Sequence, residues 1–262
     1  MKQNWIKTED EQERLRKSSR YLADIVEVLR KSVVPGVTTG ELGKKAEALI
    51  RNIGGEPLFK GYGKAWGAPP FPAAVCLSID HEVVHGIPLP QVVLKQGQLL
   101  KIDIGMRFEG MVSDMARTIA VGEISAEAKK LLETTRLALE TGINTLRPGS
   151  TMEEYARAVE GIVQAQGFSC VRDLVGHGVG RELHEDPQIP NYTGSRLPPF
   201  QFEAGMTVAL EPMVNVGGYQ VELADDGWTF VTADRKLSAH FEDTVLITQS
   251  GNEILTRPTV SV

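Results

Sequence analysis

Apolar positions along the 262-residue chain follow first a helical and then a strand-like period. Thr8-Glu-Asp-Glu offers a capping oxygen and early acids, and Leu15, Tyr21, Leu22, Ile25, Val26 and Leu29 continue at roughly helical spacing. Val34-Pro35-Gly36 ends this helix. A second is expected from about Thr39 to Ile53, stopped by Gly54-Gly55. Residues 56–72, rich in glycine, proline and aromatic side chains, read as an ordered loop, and 73–80, 98–104 and 111–121 as strands. A helix from Ser125 to about Leu146 leads to further strand-like runs at about 206–216, 228–232 and 240–248.

The plan repeats. Pro148-Gly-Ser-Thr-Met-Glu-Glu-Tyr parallels Pro35-Gly-Val-Thr-Thr-Gly-Glu-Leu 113 residues earlier, and Gly167 parallels Gly54 at the same offset. Gly97 lies six residues before Asp103 in one apolar run, and Gly205 six before Glu211 in another. An internal duplication explains both matches. No low-complexity linker intervenes, so the expectation is a single domain over 1–262 with pseudo-symmetric halves of about 8–124 and 125–262.

Composition narrows the classes. An apolar fraction of 42% and a charged fraction of 24% suit a globular chain and fit disorder poorly. A net charge of −6 with no dense basic run argues against nucleic-acid binding. The stretch Arg14 to Arg20 reads as a solvated helix face. Two distant cysteines, Cys76 and Cys170, suit a reducing compartment. With neither a signal-peptide core nor a membrane-spanning apolar run, a cytoplasmic monomer is expected.

Four acids stand in apolar strand-like runs: Asp103, Asp114, Glu211 and Glu242, two per half. One alone could be an edge residue or a hydrogen-bonded structural group. Four together point to a bound cation, because buried carboxylates are costly unless paired or metal-bound. Asp103 and Asp114 are symmetric about Phe108-Glu109-Gly110, a hairpin turn that would set them opposite or nearly opposite each other. Facing Cβ atoms about 4.5–5.5 Å apart suit a shared metal, whereas without one an acid must hold a proton. Gly176-His177-Gly-Val-Gly surrounds His177 with glycines that permit close backbone approach; ligand and core histidine both remain open readings.

His81-Glu-Val-Val-His85 matches the HExxH zinc-protease pattern, which requires a helix. The β-favouring valines and Gly86-Ile-Pro88 predict an extended segment instead. There, residues four apart are separated by roughly 13 Å, so the zincin reading is rejected.

Taken in order, these residues resemble the type I methionine aminopeptidases of the pita-bread metallopeptidase fold. The resemblance runs through Cys76-Leu-Ser-Ile-Asp-His-Glu-Val-Val-His-Gly-Ile-Pro88, Lys101-Ile-Asp-Ile-Gly105, Ser113-Asp114, and Gly176-His-Gly-Val-Gly-Arg181 with His184-Glu-Asp-Pro187. It continues through Glu211-Pro-Met-Val214, Asp226-Gly-Trp228 and Leu237-Ser-Ala-His-Phe-Glu242. It implies an α+β fold, duplicated halves forming a curved antiparallel sheet covered by helices. It further implies a dinuclear centre of Co, Mn, Fe or Zn held by Asp103, Asp114, His177, Glu211 and Glu242. Catalytic roles fall to His85, His184 and Glu211, with a hydroxide bridging the ions as nucleophile. His85 and His184 would also contact substrate. Cys76, Phe71, Trp228 and Leu183 are candidates for the methionine side-chain pocket, or for ordinary core packing. The implied substrates are nascent polypeptide N-termini with a small second residue, met at the ribosome.

Some positions depart from the family pattern. The 61–72 loop is longer than usual, Phe71 stands where tyrosine is common, Leu183 where an aromatic is frequent, and His240 where an amide is usual. Two other readings compete. Xaa-Pro aminopeptidases or dipeptidases share the fold but usually carry a large N-terminal domain, whereas here the first helix begins near residue 8. A non-catalytic binding protein on the same scaffold would typically have lost ligands, and all five positions are present.

Overall fold

The computed structural model describes residues 5–63, 69–194 and 199–258. Four helices form: α1 (Glu9–Arg30), α2 (Thr39–Asn52), α3 (Ala126–Ile143) and α4 (Met152–Ala165). Thr8, Thr38 and Thr151 each accept a hydrogen bond from the backbone N–H three residues on, and Glu11, Glu41 and Glu154 reach back to the cap N–H. These capping boxes satisfy donors that every helix start leaves orphaned. Ser125 caps α3 through the Ala128 N–H.

Every strand pairing among the described residues is antiparallel. One sheet joins β1 (Glu56–Pro57), β2 (Cys76–Ile79), β4 (Leu99–Phe108) and β5 (Met111–Ala120), with β4 central. Another runs in the order β15 (Asn252–Ile254), β14 (Asp243–Ile247), β9 (Thr207–Leu210), β7 (Gly176–Gly178), β8 (Glu185–Ile189). Two smaller sheets hold β6 (Ser169–Cys170), β10 (Met213–Asn215) and β13 (Ser238–His240), and β3 (Glu82–Val84), β11 (Val221–Leu223) and β12 (Phe230–Thr232). One large apolar cluster packs α1 and α2 on β2, β4 and β5; another packs α3 and α4 on strands of the second half.

Local construction recurs. Gly36 N–H donates to Leu94 O at 2.9 Å and Leu94 N–H to Val37 O at 2.8 Å. At the corresponding places Gly149 N–H donates to Phe202 O at 2.8 Å and Phe202 N–H to Ser150 O at 2.9 Å. Gly54 and Gly167 both end helical turns at φ +79°. The two halves are tied at the centre, where Ala116 and Glu242 exchange backbone hydrogen bonds of 3.3 and 2.9 Å. Lys101, fully buried, donates across the same seam to Ser238 O at 3.0 Å and within its own half to Asp80 O at 2.7 Å.

The ladder corrects several boundaries. The hairpin closes on Phe108–Met111, with Glu109 (φ +48°) and Gly110 (φ +78°) as a two-residue turn whose positive dihedrals match strand twist. Asp103 therefore faces Ala116 and Asp114 faces Gly105: the two acids are diagonal neighbours on one face, the nearly opposite one of the two expected placements. The expected run 206–216 is two strands, because Pro212 lacks the N–H that would continue the ladder. The run 240–248 likewise breaks at Phe241-Glu242. Each break releases a glutamate from regular pairing. His81 sits in a turn and His85 follows β3, so HExxH is not helical.

Candidate metal centre and substrate pocket

The five expected donors arrive from five segments and line one cavity. Asp103 on β4, Asp114 on β5, His177 on β7, Glu211 after β9 and Glu242 before β14 share walls of a space of about 480 Å³. Close packing brings His177 there. A Cβ on Gly176 would lie 2.5 Å from Ala209 O and one on Gly178 2.4 Å from Asp186 O, so glycine is needed on both sides of the histidine. Asp114, His177 and Glu242 each offer a ligand atom within 4.8 Å of the others. His177 Nε2 lies 3.4 Å from Glu211 Oε1. His177 Nδ1 is 2.8 Å from Gly178 O; donation to that carbonyl leaves the Nε2 lone pair facing the carboxylates.

The electrostatics are those of a site built for positive charge. Burial pushes Asp103 up to about 7. Burial and then the Asp103 charge hold Asp114 well above the carboxylate range; burial, then Asp103 and Asp114, do the same for Glu211. Glu242 is raised by burial and then by Asp114. Burial pushes His177 down to about 3 and His85 and His184 to about 4, so all three imidazoles are neutral at pH 7. Asp114 Oδ1 is buried without a hydrogen-bond partner. Clustered acids, a neutral imidazole lone pair and an orphaned carboxylate oxygen fit a hard divalent cation.

All four pocket candidates lie here too. Phe71, Cys76, Leu183 and Trp228 line the cavity and belong to one apolar cluster with Phe59, Val112, Val179 and Ala209. They are thus core and cavity wall at once. Phe71 meets Trp228 edge to face at 5.3 Å. His85, at φ +60°, stands between Trp228 and Phe230 at 6.4 and 5.9 Å. His184 packs against His177 at 4.4 Å, and its Nδ1 is hydrogen-bonded to the Tyr62 hydroxyl. A cleft of about 620 Å³ shares His85, Asp103, His177, His184 and Glu211 and continues outward past Trp5, Arg181 and Gln188.

Sequence reasoning missed Phe59, Leu223 and Phe230 as cavity residues, and placed Tyr62 only within a loop expected to line the pocket. Tyr62 stood in the unusual loop without an assigned partner, and the β-favouring pattern of Phe230 does not say which face is empty. Residues 64–68 of that loop lie outside the described residues.

Carboxylate and imidazole donors beneath an apolar cavity, on an antiparallel frame with helices outside, define the class of a metal-dependent hydrolase. The sequence matches metallopeptidase family M24 over residues 13–249. It is 44% identical to a methionine aminopeptidase of Clostridium perfringens, over 96% of this chain and 98% of that one. Methionine aminopeptidase 1 of Bacillus subtilis is also 44% identical, over 93% and 95%. The crystal structure of the methionine aminopeptidase from Thermotoga maritima superposes with a TM-score of 0.91 at 41% identity, covering 96% of this chain and 98% of that one. The chain belongs to metallopeptidase family M24 and, within it, to the methionine aminopeptidases. It has the pita-bread fold, and membership implies divalent metal ions.

Proposed function

We propose that this chain is a methionyl aminopeptidase that removes the initiator methionine from nascent proteins and peptides with a small second residue. The observation that carries the reading is the convergence of Asp103, Asp114, His177, Glu211 and Glu242 on one cavity whose remaining wall is apolar. In this reading the five residues hold two divalent ions, of Fe, Mn, Co or Zn. Such ions supply Lewis acidity and a nucleophile at neutral pH.

The protein's own groups do the rest. Phe71, Cys76, Leu183 and Trp228 enclose the methionine side chain and exclude water from the scissile bond. Glu211 accepts a proton from the attacking water and returns it to the leaving amine nitrogen. His184, its Nδ1 engaged by Tyr62, presents Nε2 to the scissile carbonyl oxygen. His85 contacts the nitrogen of the cleaved bond. The recurrent turn hydrogen bonds at Gly36 and Gly149 support one catalytic domain over 1–262, with related halves of about 8–124 and 125–262. In this reading the chain acts as a cytoplasmic monomer on nascent chains at the ribosome. Among the described residues no helix is long and apolar enough to cross a membrane.

A peptide panel tests the assignment. Met-Ala-Ser should release methionine, Met-Trp-Ser should not, and Ala-Pro peptides should remain intact. Cleavage of Ala-Pro alone would reassign the chain to the Xaa-Pro peptidases.

A further inference from the structure

His240 is 1% exposed, and neither of its ring nitrogens has a hydrogen-bond partner. Such isolation of a buried polar side chain is costly and calls for an explanation. Its backbone is pinned: Thr118 Oγ1 donates to His240 O at 2.7 Å and accepts from His240 N–H at 2.9 Å. Strand pairing with Met213 fixes it further. Its Nε2 lies 3.6 Å from Glu211 Oε2.

The neighbouring cations are already engaged. Lys101 Nζ serves Asp80 O and Ser238 O, while Arg117 serves Glu242 O and the Asp243 carboxylate. Glu211 thus has its two oxygens between two imidazoles, His177 beside Oε1 and His240 beside Oε2. The roles differ. His177 lines the cavity, whereas His240 is not among the residues that line it.

We propose that His240 is a positioning residue for Glu211, its Nε2–H donating to Oε2 and so fixing the carboxylate plane that directs Oε1 toward His177 and the cavity. A few tenths of an ångström of side-chain movement converts 3.6 Å into a hydrogen bond. The partner satisfies the otherwise orphaned imidazole N–H. Only the kinetic part of the test rests on the aminopeptidase reading.

The test compares full-length wild type with H240L, which keeps bulk without a donor, and H240Q, whose amide N–H reaches about as far as Nε2. Mn(II) affinity is read by calorimetry, the Co(II) environment by visible absorption, and kcat and KM with Met-Ala-Ser. H240L should lose about 10–100-fold in Mn(II) affinity and in kcat with KM little changed, as loss of a group that orients a metal ligand generally does. H240Q should recover most of both. H240L with wild-type affinity and an unchanged Co(II) spectrum would overturn the proposal. Should leucine prevent folding, H240Q against the shorter H240N makes the same comparison, and equal affinities there overturn it. A wild type that binds Mn(II) yet releases no methionine refutes the aminopeptidase reading alone, and the affinities still decide on His240.

Discussion

At the residue scale the fold raises the pKa of four acids by burying them together. Glu211 is raised by burial and then by Asp103 and Asp114, which suits a group that must take and return a proton. Glu211→Gln should lower kcat by about 10²–10⁴-fold, the usual contribution of general acid–base catalysis, in protein that remains folded by circular dichroism. A near-normal rate with full metal would remove Glu211 from the mechanism. The same pKa shifts set a pH dependence. The buried histidines are neutral in the folded protein, and in the unfolded chain they keep part of their protons up to about pH 7.5, a contribution that is the same with and without metal. The acids are not matched: the metal-free folded protein keeps protons on carboxylates that the unfolded chain has already ionised. Stability of the metal-free form therefore falls as pH rises, through about 7 for Asp103. Metal ions displace those protons, so the gap in Tm between metal-loaded and chelated protein should widen from pH 6.5 to 8 by thermal denaturation. A gap that narrows would contradict the buried-acid description. The acids were legible because a carboxylate in an apolar strand demands a reason. His85 and His184 emerged only through family resemblance, and the Tyr62–His184 contact bridges segments that no local pattern connects.

At the scale of elements, pattern and chemistry agreed where local rules suffice. Thr8, Thr38 and Thr151 mark helix starts because threonine followed three residues later by glutamate closes a capping box. The hairpin was legible but its register was not, since nothing in Glu109 announces a φ of +48°. The position of the turn decides between the two expected placements, and sets the acids diagonally. Strands as short as β7 and β11, three residues each, leave too few positions for a period to show. β7 nonetheless places His177, and its glycines bear the constraint. Gly178→Ala would put a Cβ 2.4 Å from Asp186 O, forcing β8 away from β7. The expected cost is about 1–3 kcal/mol of stability, as for other overpacked sites. Metal affinity should fall as His177 shifts, measurable by denaturant melts with and without metal. Unchanged stability and affinity would mean the two strands can separate freely.

At the scale of the molecule, each half covers its strands with a helix pair, and the five candidate donors meet where the halves join. The duplication could be seen in sequence because glycine and threonine positions recur at turns. The full wall of the cavity could not, since it depends on Phe59, Leu223 and Phe230 converging from separate segments. Asp103 and Asp114 come from one half and His177, Glu211 and Glu242 from the other, so the candidate centre is complete only when both halves pack together. The most direct measurement is methionine release from Met-Ala-Ser by protein stripped of metal and resupplied with Mn(II), Co(II), Fe(II) or Zn(II). The account predicts no release from stripped protein and recovery with at least one of these ions, lost again in Asp114→Asn. Full release by stripped protein, or none with any ion from folded protein that binds metal, would contradict it.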